Sequence, residues 1–309
     1  MSRTLLTVPL LALFACTAEP APSDYAEAFP DDRLLIAFES GASAARLAGD
    51  PSEYAAAARD VAGDVNPFIR SVTDTVKEIT TFEPTWKDGA EGTALWGPWT
   101  DDGVDGQLWV QRDDATGDYT WALEVREAGT EAWSALAAGE FAPDGSGRGN
   151  GTGGFFFDFD VAFALDPAEI MGGQAYVSYT VDEDGATADV AFDSIDGTDV
   201  TDLDAGYHYT QDTDGTGAMD LAFYGDASGD PAVLELFILR ARWDATGAGR
   251  GDAYVTEGDL GELVYTASEC WDTASVLVYV EDNFLMETSG DVGSCVFAEA
   301  EWNEESPAL

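Results

Sequence analysis

The feature that most constrains the fold is an alternation of apolar and polar residues, which begins near Ala94 and recurs to the end of the chain. Tyr119, Trp121, Leu123 and Val125, for example, are each separated by one polar or small residue. Successive side chains of a strand point to opposite faces, so this period predicts strands with one buried face. Asp-Gly and Gly-x-Gly turns separate the runs. We therefore expect a mainly β fold: a large curved antiparallel meander, half-barrel or barrel-like, of about 10–12 strands.

The clearest run is an aromatic stripe, which predicts one continuous strand through Phe155, Phe157, Phe159, Val161, Phe163 and Leu165. Similar alternation predicts further strands near residues 107–112, 175–182, 188–193, 218–224, 233–243, 252–256, 262–267, 275–281 and 295–301.

One or two amphipathic helices precede the strands, within about residues 50–82. Asp50 is expected to be the N-cap, with Pro51 in the first turn and Glu53 completing a capping box. A second helix start is expected at Asn66-Pro67, after which Ile69, Val72, Val76 and Ile79 fall on one face. We expect these helices to pack on the sheet.

The N-terminus has the pattern of an export signal. Arg3 precedes a short apolar stretch, and residues 13–16 read Leu-Phe-Ala-Cys, which resembles a bacterial lipobox. This resemblance implies a signal peptide at residues 1–15, a lipid (palmitate) on Cys16, a tether over 16–31 and a single β-rich domain over 32–309. An ordinary signal peptide that is cut near Ala18 is the alternative.

The two remaining cysteines, Cys270 and Cys295, form an even pair. In an oxidising compartment such a pair predicts a disulfide. The alternatives are two buried thiols or a two-ligand metal site, but His208 is the only histidine and zinc prefers four nitrogen or sulfur ligands. We therefore expect no metal centre.

Charge limits the partners. The chain has 60 acidic and 13 basic residues, a formal net charge of −47. A surface of this sign repels nucleic acid and anionic lipid headgroups, so a nucleic-acid-binding role is not expected. It attracts cations or basic proteins, and it also favours solubility in salt.

Candidate catalytic groups are few. Asp158 and Asp160, two apart on the expected strand, would project from one face as a carboxylate pair of the kind glycosidases use. The turns Asp182–Gly185 and Asp212–Gly217 resemble calcium loops, but neither has the EF-hand spacing, and hairpin turns explain them better. His208 lies between two tyrosines without a nucleophile motif. We expect no enzyme activity and no cofactor.

Tryptophans are concentrated in the first part of the expected sheet, at Trp86, Trp96, Trp99, Trp109, Trp121 and Trp133. They could stack on sugars or line an apolar cavity, but most are expected to fill the core beneath the helices. Trp96 and Trp99, which flank Gly97-Pro98, are expected to be partly exposed.

Two resemblances bear on function. The order of lipobox, tether, helix and many-stranded meander resembles LolA-like half-barrel lipoproteins, in which helices cover a curved sheet around an apolar cavity. Residues 249–252 (Gly-Arg-Gly-Asp) through 268–272 (Ser-Glu-Cys-Trp-Asp) are similar to a segment of uncharacterised myxobacterial lipoproteins, which implies no activity. Neither resemblance transfers a ligand-binding residue.

These observations lead to three expectations of function. The first is a non-enzymatic, membrane-anchored lipoprotein of the outer membrane that holds a hydrophobic or lipid ligand between helices and sheet. The second is an acidic surface module, structural or adhesive, that binds cations or partner proteins. The third is a carbohydrate-active protein.

Overall fold

The computed structural model describes residues 25, 28–29, 32–36, 49–89, 92–166, 170–197, 203–226, 230 and 232–301. Within these residues the chain forms one sheet of 15 strands whose spatial order is the order along the chain. Neighbouring strands are antiparallel, and β1 and β15 are the two edges. The expected mainly β antiparallel meander is confirmed, with more strands than the 10–12 expected.

The strands, numbered in chain order, are β1 (Trp86–Asp88), β2 (Thr93–Asp101), β3 (Val104–Arg112), β4 (Tyr119–Glu127), β5 (Ser134–Pro143), β6 (Gly151–Asp158), β7 (Ile170–Val181), β8 (Gly185–Gly197), β9 (Leu203–Asp212), β10 (Gly217–Gly225), β11 (Glu235–Trp243), β12 (Gly249–Thr256), β13 (Tyr265–Trp271), β14 (Leu277–Asp282) and β15 (Glu287–Gly290). The helices are α1 (Glu53–Thr80) and α2 (Phe159–Leu165), and short 3-10 helices lie at Asp32–Leu34, Gly258–Leu260 and Val292–Ser294.

Helix α1 is one continuous helix, so the second start expected at Asn66-Pro67 is wrong: Pro67 lies inside it. The expected N-cap is also wrong. Pro51 forms a β-bridge with Val276, and the hydroxyl of Ser52 accepts from the Ala55 N–H. Ser52 is therefore the N-cap, and the helix starts two residues later than it would if Asp50 were the cap. Within the described residues, no helix is both long and apolar enough to cross a membrane.

The aromatic stripe is not one strand. Strand β6 ends at Asp158, whose carboxylate accepts from the Val161 N–H and caps α2. Phe159 then packs against Phe157 and Phe68, at ring-centroid distances of 4.9 and 5.7 Å. The apolar spacing of the stripe is compatible with a strand, but the cap that Asp158 provides stabilises a helix after residue 158.

The strand expected over residues 295–301 is wrong too. This stretch, called here the C-terminal segment (Cys295–Glu301), is irregular, and its carbonyls accept from arginine side chains rather than from another strand.

The chain divides into two compact units. The first comprises Met1–Leu34, Asp64–Glu183 and Asp193–Asp202. Its core contains the apolar face of α1, where Ile69, Val72, Val76 and Ile79 are buried as the periodicity predicts. Tyr119, Trp121, Leu123 and Val125 of β4 are buried as well.

The second unit comprises Leu35–Gly63, Asp184–Phe192 and Leu203–Leu309. The first turns of α1 lie against β12 in this unit, and Gly251 makes their close approach possible: a Cβ at this position would lie 2.7 Å from the Tyr54 Cβ. The largest fully buried side chains of this unit are Trp243, Trp271, Tyr207, Tyr209, Met219 and Leu277.

Many of the aspartates have a local role in turns. In several hairpin connections an aspartate carboxylate accepts from the backbone N–H two residues further on, as at Asp113, Asp144, Asp214, Asp244 and Asp272. This is the turn geometry that favours aspartate over most other residues. Part of the acidity is therefore explained by turn formation.

Candidate functional site

Two of the three cysteines lie within the described residues. Cys270 and Cys295 form a disulfide, with the Cα atoms 5.4 Å apart, so the expected pairing is confirmed. The bond joins β13 to the C-terminal segment. Cys16, the signal peptide and most of the expected tether lie outside the described residues.

The expected carboxylate pair does not lie on one strand face. Asp158 ends β6 and caps α2, whereas Asp160 belongs to α2 and accepts from the Gly173 N–H at 3.4 Å. A strand-face pair would require the aromatic stripe to be a single strand. Both carboxylates have local structural partners, and Gln174 donates to Asp158 at 3.2 Å.

The turns that resemble calcium loops form hairpin connections. Asp214 accepts from the Thr216 N–H, and the Thr213 N–H donates to the Asp184 carbonyl. Among the residues that the structure describes, three or more His, Cys, Asp or Glu side chains nowhere converge as a metal site requires.

His208 is half-buried on β9 and its Nδ1 lies 2.6 Å from an Asp189 carboxylate oxygen on β8. Its neighbours Tyr207 and Tyr209 point to the other face and are buried. The histidine is therefore explained by a hydrogen-bonded contact between two neighbouring strands.

Of the six tryptophans in the first part of the sheet, Trp96 and Trp121 are buried and the other four are partly or fully exposed, so the expectation that most of them fill the core is wrong. Trp96 is only 3% exposed, and its indole nitrogen donates to the Phe82 carbonyl at 2.8 Å, so its expected exposure is wrong. Trp99 is partly exposed, as expected. Trp86, at 46% exposure, forms an edge-to-face pair with Trp109 at 6.1 Å.

Three arginines of the second unit form a cluster that the sequence did not predict. Arg240 and Arg242 lie on β11, and Arg250 lies directly opposite Arg242 on β12. They share one face of the sheet with Asp220 and Asp252, because Arg240 is paired in register with both aspartates. We call these five residues the arginine cluster.

Each arginine of the cluster has an aspartate carboxylate close to it. Arg250 donates from Nε to Asp252 at 2.8 Å, and Arg240 donates from Nη1 to Asp220 at 2.9 Å. Arg242 is 3.2 Å from Asp252, whose side chain is fully buried. Such burial is tolerated only when each charge has a close partner.

The C-terminal segment lies across this cluster. Arg250 donates to the Ala298 carbonyl and Arg242 to the Glu299 carbonyl, both at 2.9 Å. The Glu301 carboxylate then contacts Arg242 at 2.6 Å and Arg240 at 3.2 Å. The segment therefore supplies the additional carboxylate that three arginines and two aspartates require.

A signal for the cluster exists in the sequence. Between Arg148 and the C-terminus, Arg240, Arg242 and Arg250 are the only lysine or arginine residues. Their shared face follows from the register of β11 and β12, which the sequence alone does not provide. All three cations are engaged within the unit.

A second feature lies at one end of the second unit. Because antiparallel strands reverse at every turn, the β10–β11, β12–β13 and β14–β15 connections come to the same end of the sheet. The last two are in contact: Thr266 and Asn283 exchange hydrogen bonds, and the rings of Tyr265 and Phe284 are 4.7 Å apart.

These three connections expose large apolar side chains. Met286 is 87% exposed, Phe284 61% and Leu263 60%. We call the whole set the apolar end, and it consists of Val233, Leu234, Leu263, Val264, Phe284, Leu285 and Met286.

Carboxylates accompany the apolar end. Glu257, Asp259, Glu262 and Glu287 are exposed in or directly beside the same connections. The Tyr224 hydroxyl donates to Glu257 at 3.4 Å, and burial, followed by the charge of Glu257, raises the pKa of Tyr224. An apolar surface with a negative rim is suited to a partner that is both apolar and positive.

Comparison with known proteins adds no family assignment, because no protein-family model, no curated protein and no solved structure matches the chain.

Proposed function

We propose that this chain is a non-enzymatic lipoprotein of the bacterial outer membrane whose acidic surface binds cationic partner proteins. The observation that carries the proposal is that Arg240, Arg242 and Arg250 form ion pairs with aspartates of the same unit. These are the only lysine or arginine residues after Arg148, so the outward-facing charge of the strands of the second unit is dominated by carboxylates. Such a field steers and binds positively charged proteins.

The anchor is the lipid on Cys16, after removal of residues 1–15. Two features support it: the Leu-Phe-Ala-Cys sequence, and the Cys270–Cys295 disulfide, which is typical of proteins outside the reducing cytoplasm. The part of the expected tether that precedes Tyr25 would link the anchor to the folded chain, because Tyr25 and Phe29 already pack against Trp96 and Trp121, with ring centroids 5.5 Å apart in each pair.

The alternative, a hydrophobic ligand between helix and sheet, has less support. In the first unit this space is occupied by aromatic side chains, with Phe68 of α1 in edge-to-face contact with Phe157 of β6 at 5.7 Å. Side chains packed in this way leave little room for a lipid chain. The partner-binding role is therefore preferred.

The test uses the full chain with its own N-terminus, expressed in a Gram-negative host. We expect it to fractionate with the outer membrane and to bind polylysine but not polyglutamate. Binding should weaken as salt shortens the Debye length from about 30 Å to about 8 Å. Polylysine binding that is absent or unaffected by salt would refute the charge-based role.

A variant tests the anchor separately. We expect Cys16→Ser to release the chain from the membrane fraction without changing its affinity for polylysine. Retention of the Cys16→Ser chain in that fraction would contradict the lipid anchor.

A second candidate is glycan binding, which the Trp86–Trp109 pair favours. An exposed tryptophan beside a second indole provides a platform on which sugar rings stack. Retention of the chain on an insoluble polysaccharide, and its loss in Trp86→Ala, would support this role. Equal retention of the two chains would exclude the pair as the site.

A further inference from the structure

The apolar end is the largest group of exposed large apolar side chains in the described residues. Twelve large apolar side chains are exposed across the described part of the chain, and seven of them belong to the three connections of the apolar end. Isolated exposed apolar residues are normal on a protein surface, but a contiguous patch marks an interaction site. Phe284, Leu285 and Met286 are consecutive in one tight connection, so their exposure is not scattered.

The adjoining connections make the patch continuous. The β14–β15 turn contacts the start of β13 through the Tyr265–Phe284 ring pair. The β12–β13 connection also lies against the β10–β11 connection, because a Cβ on Gly258 would be 2.7 Å from the Leu234 carbonyl oxygen. Three neighbouring hairpin ends therefore form one surface.

The charge around this surface selects the kind of partner. The last lysine or arginine of the chain is Arg250, which is 3% exposed and bound to Asp252 on a sheet face covered by the C-terminal segment. Glu257, Asp259, Glu262 and Glu287 are exposed among the apolar side chains. An anionic bilayer would be repelled by these carboxylates, whereas an apolar segment flanked by lysine or arginine complements both features.

We propose that the apolar end is a docking surface for a cationic amphipathic segment of a partner protein. This inference rests on the proposed function and gives it a location and a partner chemistry. Phe284, Leu285 and Met286 would be buried by the apolar face of the partner, and Glu257, Asp259, Glu262 and Glu287 would contact its basic residues. An amphipathic helix provides such a face through residues that recur every three and four positions.

The experiment compares two probes on the full chain. One is a helical peptide of leucine and lysine, with the leucines on one face, and the other is polylysine. The test variant is Phe284→Ser/Leu285→Ser/Met286→Ser, which changes only exposed side chains. The matched control is Tyr176→Ser/Val292→Ser, which removes exposed apolar side chains elsewhere.

We expect the test variant to bind the leucine–lysine peptide about tenfold more weakly or worse, because a few central apolar residues carry most of the energy of an interface. The control variant should bind this peptide as the parent does, and all three chains should bind polylysine equally. Unchanged peptide binding by the test variant would overturn the docking surface.

The outcomes separate this inference from the proposed function. If the parent chain does not bind polylysine, the charge-based function fails, whatever the peptide result. If the parent chain binds neutral phosphatidylcholine vesicles and the test variant does not, the apolar end inserts into a bilayer, and the protein-docking proposal is wrong.

Discussion

The Ser52 hydroxyl donates a hydrogen bond of 2.7 Å to a Glu269 carboxylate oxygen, although 217 residues separate the two in the chain. The Tyr54 N–H donates to the same oxygen at 3.1 Å, while the Ala55 N–H donates to the Ser52 hydroxyl. The first N–H groups of a helix have no partner within it. Glu269 of β13 therefore fixes the beginning of α1 to the sheet.

Replacing this carboxylate should loosen the start of the helix. We expect Glu269→Ala to lower the free energy of unfolding by about 1–3 kcal/mol, because buried donors lose their acceptor. Hydrogen exchange should accelerate at the amides of Tyr54 and Ala55. Glu262→Ala, at an exposed position, is the control and should change the stability by less than about 0.5 kcal/mol. Unaltered exchange at Tyr54 would contradict the prediction.

We expect substitutions in the arginine cluster to have non-additive effects on the free energy of unfolding. Arg250→Met leaves the buried Asp252 without its closest charged partner, and we expect a loss of about 3–5 kcal/mol in the free energy of unfolding by urea. The double variant Arg250→Met/Asp252→Leu removes both charges and should lose less than the single variant. A double variant at least as unstable as Arg250→Met would show that the charge pair is not the main contribution.

The disulfide predicts a second loss of stability. Cys270 and Cys295 are 25 residues apart, and a bridge of this length stabilises a fold by about 3 kcal/mol through its effect on the unfolded chain. We expect Cys270→Ser/Cys295→Ser to lose about that amount. Reducing agent should lower the stability of the parent chain only, so an equal effect on the serine variant would point to another cause.

We expect the stability of the first unit to depend on pH through the Asp105 carboxylate. The hydroxyl of Thr100 donates to it at 2.6 Å, and this bond, with the bonds and charge of Arg126, lowers the pKa of Asp105 in the folded chain. Its contribution to stability is therefore present above the unfolded pKa of about 4 and is lost as pH falls through the folded value.

Asp105→Asn tests this contribution. We expect a lower Tm than that of the parent at pH 7, and a difference that narrows as the pH falls below about 4. Asp102→Asn, in the exposed β2–β3 turn, is the control. A Tm difference for Asp105→Asn that is constant with pH would show that its charge has no role.

Local patterns predict much of the sheet and few of its long-range contacts. The buried alternation of β4 and the apolar face of α1 follow from their own sequences. The break at Asp158 depends on a single hydrogen bond that competes with an uninterrupted alternation, so periodicity alone gives the wrong element.

The contacts of the candidate site require register, which local sequence does not supply. Arg242 meets Arg250 only because β11 and β12 pair as they do, and the Cys270–Cys295 bond holds the C-terminal segment to the same part of the sheet. The alternation within the C-terminal segment predicts a strand, and this prediction is wrong. The segment is held instead by Arg242, Arg250 and Cys270, which are far from it in the chain, so its own sequence does not reveal these contacts. The exposure of Met286 likewise depends on where three connections meet.

The sequential strand order has a consequence for the path of folding. Each pair of neighbouring strands is joined by a short connection, so the chain closes only small loops to build the meander, and small loops close with little loss of entropy. The bond from Ser52 to Glu269 instead closes a loop of 217 residues. We therefore expect the C-terminal strands to form before the first turn of α1 docks, so that this turn acquires protection from exchange late during refolding.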